Sequence, residues 1–578
     1  MSHDNLPYLY LKLNEALKEC QRWAAEFGLD ISQEKTKYML FTRKRKPKIP
    51  VGGLTLKGKR IEKVSSLKYL GMTLDDKLTW TAHIKERLDG ATKLLFKLKS
   101  YIGKTWGPSP KMTLYAYTSC IRPQLSYGSF AFASKISKHM AQKLRSFQRK
   151  VLMTMGNFRD NTPGDSLEVI LDIMPLDIFL RGEAKKANYR LKENFDHDWS
   201  GVGKSKRLGH VLQAKHDEIE MGLETTQSDK IDTHPIWEKN YTIVTGNGDD
   251  RYQGFRCYTD GSKTRHGVGS GACIMMHTHI MKTRCYGLKD YSTVFQAELY
   301  AIQQACKLIV EVKKDFKNDP DFKNVRILSD SKSALQALDR IDTDSRLVKE
   351  TKEALNTLSK DIDTELCWIK AHVNYKGNEM ADNLAKTGTK LTNKATVGPS
   401  RTHINSQITD TLYREWNERW QHTKGMRQTK LFLPNVFQRG RAKKTRDLNR
   451  YDLGVLIRNI TGHAFLRRHN YIIGNSDTHV DLEDSIDDDY LRHINSCTTQ
   501  PQLSNLLEVD ITKPEYVRVC RKCRDPNSLE TPYHLFTECP AVWEYRREHL
   551  HTYEMYNPNP KWRPRPFVDF FNALDLEI

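Results

Sequence analysis

No stretch of this sequence comes near the roughly 18–20 consecutive apolar residues that a helix needs to cross a bilayer. The start, MSHDNLPYLYLKLNEALKEC, has no basic segment leading into a long apolar core, so it does not read as a secretory signal. Basic amphipathic helices with a bulky apolar face, which would suit an acidic membrane surface, are missing too, and no membrane partner is expected. The 11 cysteines are an odd number, scattered apart from one tight group near the C-terminus. That usage argues against a disulfide framework and for a reduced, intracellular compartment, with the tight group a metal candidate. Nor does any internal repeat recur at a fixed period.

What is present starts with length and charge. At 578 residues the chain is long enough for two to four domains, each able to bury a core. Hydrophobic residues at 38% with 10% aromatics suit a folded chain better than a disordered one. The formal charge of +21 and pI near 9.3 favour polyanionic partners, above all nucleic acid.

The pattern along the chain divides it into four parts. Residues 1–190 read as mostly helical with a short β insertion. Leu9, Leu13, Ala16, Cys20, Trp23 and Phe27 recur at three- and four-residue steps, which predicts one buried helical face ended by Gly28. Residues 191–250 are polar without sustained periodicity and are expected to be a linker. Residues 251–390 alternate strand and helix patterns in the order β-β-β-α-β-α-α-β-α, predicting an α/β layer fold with a mixed five-stranded sheet. Residues 391–578 are mixed and polar, with a helix bearing Trp416 and Trp420 and a basic stretch from Arg439 to Arg446.

Four acids of the third part occupy places where a site is easily built. Asp260 ends the first predicted strand, in Tyr-Thr-Asp-Gly-Ser. Glu298 lies on the first long helix, Asp330 ends a later strand in Leu-Ser-Asp-Ser, and Asp382 lies on the last helix. Acids at strand ends attract a turn or cap explanation one by one. Glu298 resists it, because it is flanked by apolar residues in Phe-Gln-Ala-Glu-Leu-Tyr-Ala-Ile, where an unpartnered carboxylate is costly. Clustered carboxylates repel unless hard divalent cations neutralise them. Two Mg²⁺ ions held this way would activate a water and stabilise the leaving oxygen of a phosphodiester.

TDGS with a Gly-rich strand, QAELYAI, SDSKSAL and AHVNYKGNEMADNLAK together resemble the four acid motifs of the type I ribonuclease H family, in the right order and over about residues 255–390. The resemblance implies a ribonuclease H-like α/β domain that cleaves the RNA strand of RNA–DNA hybrids with two Mg²⁺ ions, Mn²⁺ being a substitute. It implies Asp260, Glu298, Asp330 and Asp382 as metal ligands and His372 as an aid to proton transfer or product departure. Gly261, Ser262 and Gln296 are candidates for contacts to 2′-hydroxyls in the minor groove, with turn and helix-surface roles as the alternative. The loop around His372 departs from the family in lacking a Pro-Gly before the histidine, and KKDFKNDPDFKN reads as an extended charged loop.

The flanks also carry resemblances. LNEALKECQRWAAEFGLDISQEKTKYMLFT and SLKYLGMTLDDKLTWTAHI are similar to the palm end and thumb of non-LTR retrotransposon reverse transcriptases. The metal-binding Asp pair of a polymerase does not precede them in this sequence, Asp75-Asp76 reads as a turn, and a truncated polymerase without polymerase activity is expected. Cys520-x₂-Cys523-x₁₀-His534-x₄-Cys539 has donors and spacings that can close a tetrahedral Zn²⁺ site, over 520–539. It resembles the zinc-knuckle-like region of the same retroelements, which would grip nucleic acid. Arg43-Lys44-Arg45-Lys46 reads as a nuclear localisation signal, a phosphate contact or a solvated hairpin tip. The whole therefore suggests the C-terminal part of a retrotransposon polyprotein, intracellular and nuclear. A degenerate remnant that only binds nucleic acid is the alternative to an active nuclease.

Overall fold

A computed structural model describes residues 3, 5–42, 49–50, 52–103, 106–194, 228–244, 254–316, 323–370, 375–436, 442–464, 466, 520–525, 527–551 and 564–574. The chain divides into two compact units, Met1–Ala184 together with Leu412–Ile578, and Lys185–Thr411.

The first unit is mostly helical, with short strand pairs such as Ser66–Tyr69 against Met72–Asp75. It joins two regions that the sequence pattern separates. Buried polar bonds stitch them: Ser166 and Thr429 hydroxyls lie 2.9 Å apart, and Arg450 and Arg458 donate to the carbonyls of Thr154 at 2.9 Å and Asn157 at 2.8 Å. Such long-range pairings leave no periodic trace in sequence. The helix Leu6–Glu26 starts on the Asn5 cap and stops before Gly28 at φ +65°, as expected. Its predicted buried face is only half correct. Tyr10 packs with Leu54, Leu56 and Ile61, with Leu13 and Leu17 beside them, but Trp23 and Phe27 remain exposed. The small β insertion covers only the first half of the apolar stripe.

The second unit holds the α/β layers. Its elements are β1 (Lys230–Pro235), β2 (Thr242–Val244), β3 (Phe255–Thr264), β4 (Gly267–Met276), β5 (His279–Leu288), α1 (Val294–Asp315), β6 (Asn324–Ser329), α2 (Lys332–Asp339), β7 (Asp342–Ser345), α3 (Arg346–Ser359), β8 (Asp363–Trp368), α4 (Lys376–Gly388) and β9 (Lys394–Ala395). The sheet order is β9-β5-β4-β3-β6-β8-β2. Strands β3, β4 and β5 form an antiparallel meander, and β6, β8 and β2 continue parallel to β3. Alternation along β3 feeds two cores. Phe255 and Cys257 pack with α1, α2 and α3 residues on one face, and Tyr258 packs with Ala381 of α4 on the other.

The five expected strands are present, and two short edge strands extend the sheet to seven. One of them, β2, falls in the expected linker 191–250, and so does β1, which pairs with β7. Asp229 just before β1 is also built in, accepting from the backbone N–H of Leu347 at 3.0 Å and the Ser345 hydroxyl at 2.9 Å. A stretch of this polarity can still form edge strands, because an edge needs only a few residues and half of its backbone groups can face water.

Candidate active site

Parallel pairing brings the first two acids together. Thr259 of β3 lies opposite Ser329 of β6, so the next residue on each chain, Asp260 and Asp330, emerges at the same end of adjacent strands. Asp330 follows its strand as expected. Asp260 does not end its own strand, since β3 continues to Thr264 while β4 pairs with it as far as Gly267. The Asp330 turn is held by the Trp368 indole, which donates to its carbonyl at 3.1 Å, and by the Ser331 side chain capping α2.

Glu298 arrives on α1, and Gly261 lets it in. A Cβ at position 261 would sit 2.5 Å from the backbone nitrogen of Glu298, so only glycine allows this approach. The backbone N–H of Gly261 favours the charged form of both the Asp260 and the Glu298 carboxylate. One carboxylate oxygen each from Asp260, Glu298 and Asp330 then lie within 4.8 Å of one another.

Asp382 comes from the opposite face, where α4 presses on β4 at Gly271. A Cβ there would meet the Ala381 carbonyl at 2.3 Å. The Asp382 carboxylate is not in the close trio. It pairs with Lys386 one turn along α4 at 2.6 Å, and its charge still acts on Asp260. The i, i+4 spacing of this pair was visible in GNEMADNLAK and is a signal the motif reading passed over.

The electrostatics show what the cluster lacks. Burial, with the charges of Asp330 and Asp382, pushes the Asp260 carboxyl up to about 7. Burial, with Asp260 and Asp330, pushes Glu298 up to about 9. Glu298 is 6% exposed, and its Oε2 is buried without a hydrogen-bond partner. Converging oxygen donors, mutual repulsion and an orphaned carboxylate oxygen fit a hard divalent cation such as Mg²⁺.

Of the other expected site residues, Gly261 is buried against α1 and Ser262 is half-buried beside it on β3. Gln296 is a correction. It is 1% exposed, its Oε1 accepts from the Thr293 backbone at 3.1 Å, and its Nε2 donates to the Gly398 carbonyl at 2.8 Å. Both ends of the amide are engaged inside the protein rather than offered to a substrate. The Thr-x-x-Gln pattern of a capping box signalled this. His372, most of the charged loop after α1 and the Arg43–Lys46 cluster lie outside the described residues. Asp75 accepts from the backbone of Lys77, Thr79 and Trp80 at 3.1, 2.9 and 2.9 Å, which makes it a turn residue as expected.

In the other unit, Cys520, Cys523, His534 and Cys539 each place a donor within 4.8 Å of the others. A tetrahedral Zn²⁺ with Zn–S of ~2.3 Å and Zn–N of ~2.0 Å separates two sulfurs by ~3.8 Å and sulfur from nitrogen by ~3.5 Å. Cys520 and Cys539 sulfurs are 3.8 Å apart, and Cys523 Sγ is 3.4 Å from His534 Nε2. The other ring nitrogen of His534 faces Glu538 at 3.5 Å, the kind of carboxylate partner that orients a metal-bound imidazole. Glu538 was not foreseen, although its place four residues after His534 on one turn is a local signal.

The RNase H family model matches residues 253–390. The chain is similar to the retrovirus-related Pol polyprotein from type-1 retrotransposable element R1 2 of Nasonia vitripennis, 21% identical over 236 residues, which cover 40% of this chain and 55% of that protein. That similarity covers more residues than the RNase H match. It is also similar to the RNA-directed DNA polymerase from mobile element jockey of Drosophila melanogaster, 30% identical over 140 residues, 24% of this chain and 15% of that one. Among solved structures, RNase H1 from the halophilic archaeon Halobacterium salinarum NRC-1 is 22% identical and covers 23% of this chain and 96% of its own, with a TM-score of 0.19. The curated relatives are matched over 15% to 55% of their length. Residues 253–390 form an RNase H domain, carried on a chain similar over part of its length to proteins of R1 and jockey mobile elements.

Proposed function

We propose that this chain hydrolyses the RNA strand of RNA–DNA hybrids endonucleolytically, using two Mg²⁺ ions, replaceable by Mn²⁺, held by Asp260, Glu298, Asp330 and Asp382. The observation that carries this reading is the close trio of Asp260, Glu298 and Asp330 with a buried, unpartnered oxygen on Glu298. Bound there, the cations supply activation of the attacking water and stabilisation of the leaving oxygen. The chain's own part is to hold the acids. Gly261 admits Glu298 to the sheet and its N–H favours the charged form of two carboxylates, the Trp368 indole fixes the Asp330 turn, and Lys386 pairs with Asp382 until a cation competes for it. Gly261 and Ser262, next along β3, are read as contacts to 2′-hydroxyls of the hybrid, and His372 as the group that moves a proton or speeds product departure.

The Cys520, Cys523, His534 and Cys539 centre is read as a Zn²⁺ site that supports a nucleic-acid grip rather than chemistry, in keeping with a net charge of +21. The deciding assay gives purified full-length protein Mg²⁺ and three labelled substrates: an RNA–DNA hybrid, single-stranded RNA and duplex DNA. Cleavage of the hybrid alone, abolished by Asp330→Asn, is expected. Equal inertness of the wild type and Asp330→Asn would reduce the protein to a nucleic-acid binder.

A further inference from the structure

The helix that delivers Glu298 is anchored at its start by one buried amide. Gln296 occupies the third position of α1, two residues before Glu298. Its Oε1 accepts from Thr293 N–H at 3.1 Å, and its own N–H donates to the Thr293 hydroxyl at 3.2 Å, which closes the capping box. Its Nε2 does more than a cap requires. It donates to the Gly398 carbonyl at 2.8 Å, and the amide also favours the charged form of the Asp229 carboxylate.

Asp229 and Gly398 both lie outside the segment 253–390 that matches RNase H. They are themselves tied down. The Asp229 carboxylate accepts from Leu347 N–H and the Ser345 hydroxyl, its carbonyl accepts from Arg346 N–H at 2.6 Å, and its N–H donates to the Pro399 carbonyl at 3.3 Å. Strand β9 pairs with β5 and fixes the approach to Gly398. The Gln296 side chain thus bonds to Gly398, whose neighbour Pro399 is bonded to Asp229, itself held by residues 345–347.

We propose that Gln296 is a positioning residue, which uses the flanking segments at Asp229 and Gly398 to fix the first turn of α1 and thereby hold Glu298 in register with Asp260 and Asp330. The physical reason is the narrow tolerance of metal coordination. Ligand distances must hold to within about 0.2 Å, and the first turn of a helix is where it frays most readily. Gly261 lets α1 approach the sheet closely at Glu298, and Gln296 ties the same helix to the flank at Gly398. A glutamine at this position on an open helix surface would gain nothing from Nε2. Here burial obliges both ends of the amide to find partners, and the partners found are segments added to the domain.

The inference rests on the proposed metal site, and the test separates the two. Mn²⁺ binding to the full chain is measured by titration calorimetry and hybrid cleavage by steady-state kinetics, for wild type, Gln296→Met, Asp229→Asn and Tyr241→Phe. Methionine keeps the volume of glutamine and removes its hydrogen bonds. Tyr241→Phe removes a different buried bond of the same unit, the 2.9 Å bond to the Leu338 carbonyl, and reports what a general loss of stability does. Gln296→Met is expected to weaken Mn²⁺ by about tenfold. It should lower kcat with KM for the hybrid unchanged, while Tyr241→Phe leaves all three as in wild type. Asp229→Asn should move them the same way by about threefold, and it decides the matter if Gln296→Met does not fold. Wild-type Mn²⁺ affinity and kcat in Gln296→Met, or equal losses in Tyr241→Phe, would overturn the inference. Wild type that neither binds Mn²⁺ nor cleaves would bring down the metal-site reading, and this inference with it.

Discussion

Replacing Glu298 by glutamine isolates the cost of burying one acid among others. With the cluster free of metal, burial and the neighbouring acids raise Glu298 from its ordinary 4.5 to about 9. A carboxyl whose folded pKa is raised destabilises the fold wherever the unfolded chain is ionised and the folded one resists ionisation. Its contribution is thus fully present below about pH 4.5 and is lost progressively as pH climbs toward 9. At about 1.4 kcal/mol per unit, the loss between pH 5 and pH 8 is at most about 4 kcal/mol. Asp260, raised to about 7, adds to the same slope. In chelator, wild-type α1 amides should exchange hydrogen faster at pH 8 than at pH 5 after correction for the intrinsic rate. Glu298→Gln cannot ionise and should show a much flatter profile, with slower exchange than wild type at pH 8. Adding Mg²⁺ to a hundred times its Kd should restore about 2.7 kcal/mol to wild type and little to the variant. An unchanged pH slope in Glu298→Gln, or equal Mg²⁺ protection of both proteins, would refute the reasoning.

Three further outcomes are expected. Gly271→Ala forces a methyl against the Ala381 carbonyl, so it should cost about 1–3 kcal/mol in urea unfolding and reduce hybrid cleavage by displacing Asp382; unchanged stability would contradict the close packing of α4 on β4. Lys386→Met removes an exposed partner, so stability should change by less than about 1 kcal/mol. The Mg²⁺ concentration for half-maximal cleavage should fall, since the cation no longer competes with an ammonium for Asp382. Purified protein should contain one Zn²⁺ per chain by elemental analysis, and Cys539→Ser should lose it; full occupancy in that variant would assign the metal elsewhere.

How much of this was legible in the sequence depends on how local each cause is. Asp260, Glu298, Asp330 and Asp382 sit in short words at defined places on strands and helices, and the alternating pattern around them sets the order of elements. Their meeting point follows, because parallel β3 and β6 must bring Asp260 and Asp330 to one end. Strands of three and two residues at the sheet edges carry too little periodicity to be seen, so β2 and β9 were not anticipated. The stripe from Leu9 to Phe27 shows the other limit: spacing reveals that a helix has an apolar face, not whether anything covers it, and Trp23 at 56% exposure is uncovered.

Gln296 lies between these cases. Thr-x-x-Gln is a local cap signal, but the partners Asp229 and Gly398 are distant in sequence and flank the recognisable domain. Motifs therefore identify which acids gather, while the precision of their gathering is set by contacts that no motif spells out. Glu298 makes the distinction concrete. Its identity is written in QAEL, yet its register depends on a glycine that admits the helix and an amide that ties it to chain outside the domain. If metal affinity follows that amide, the flanks are part of the active site's construction rather than appendages to it.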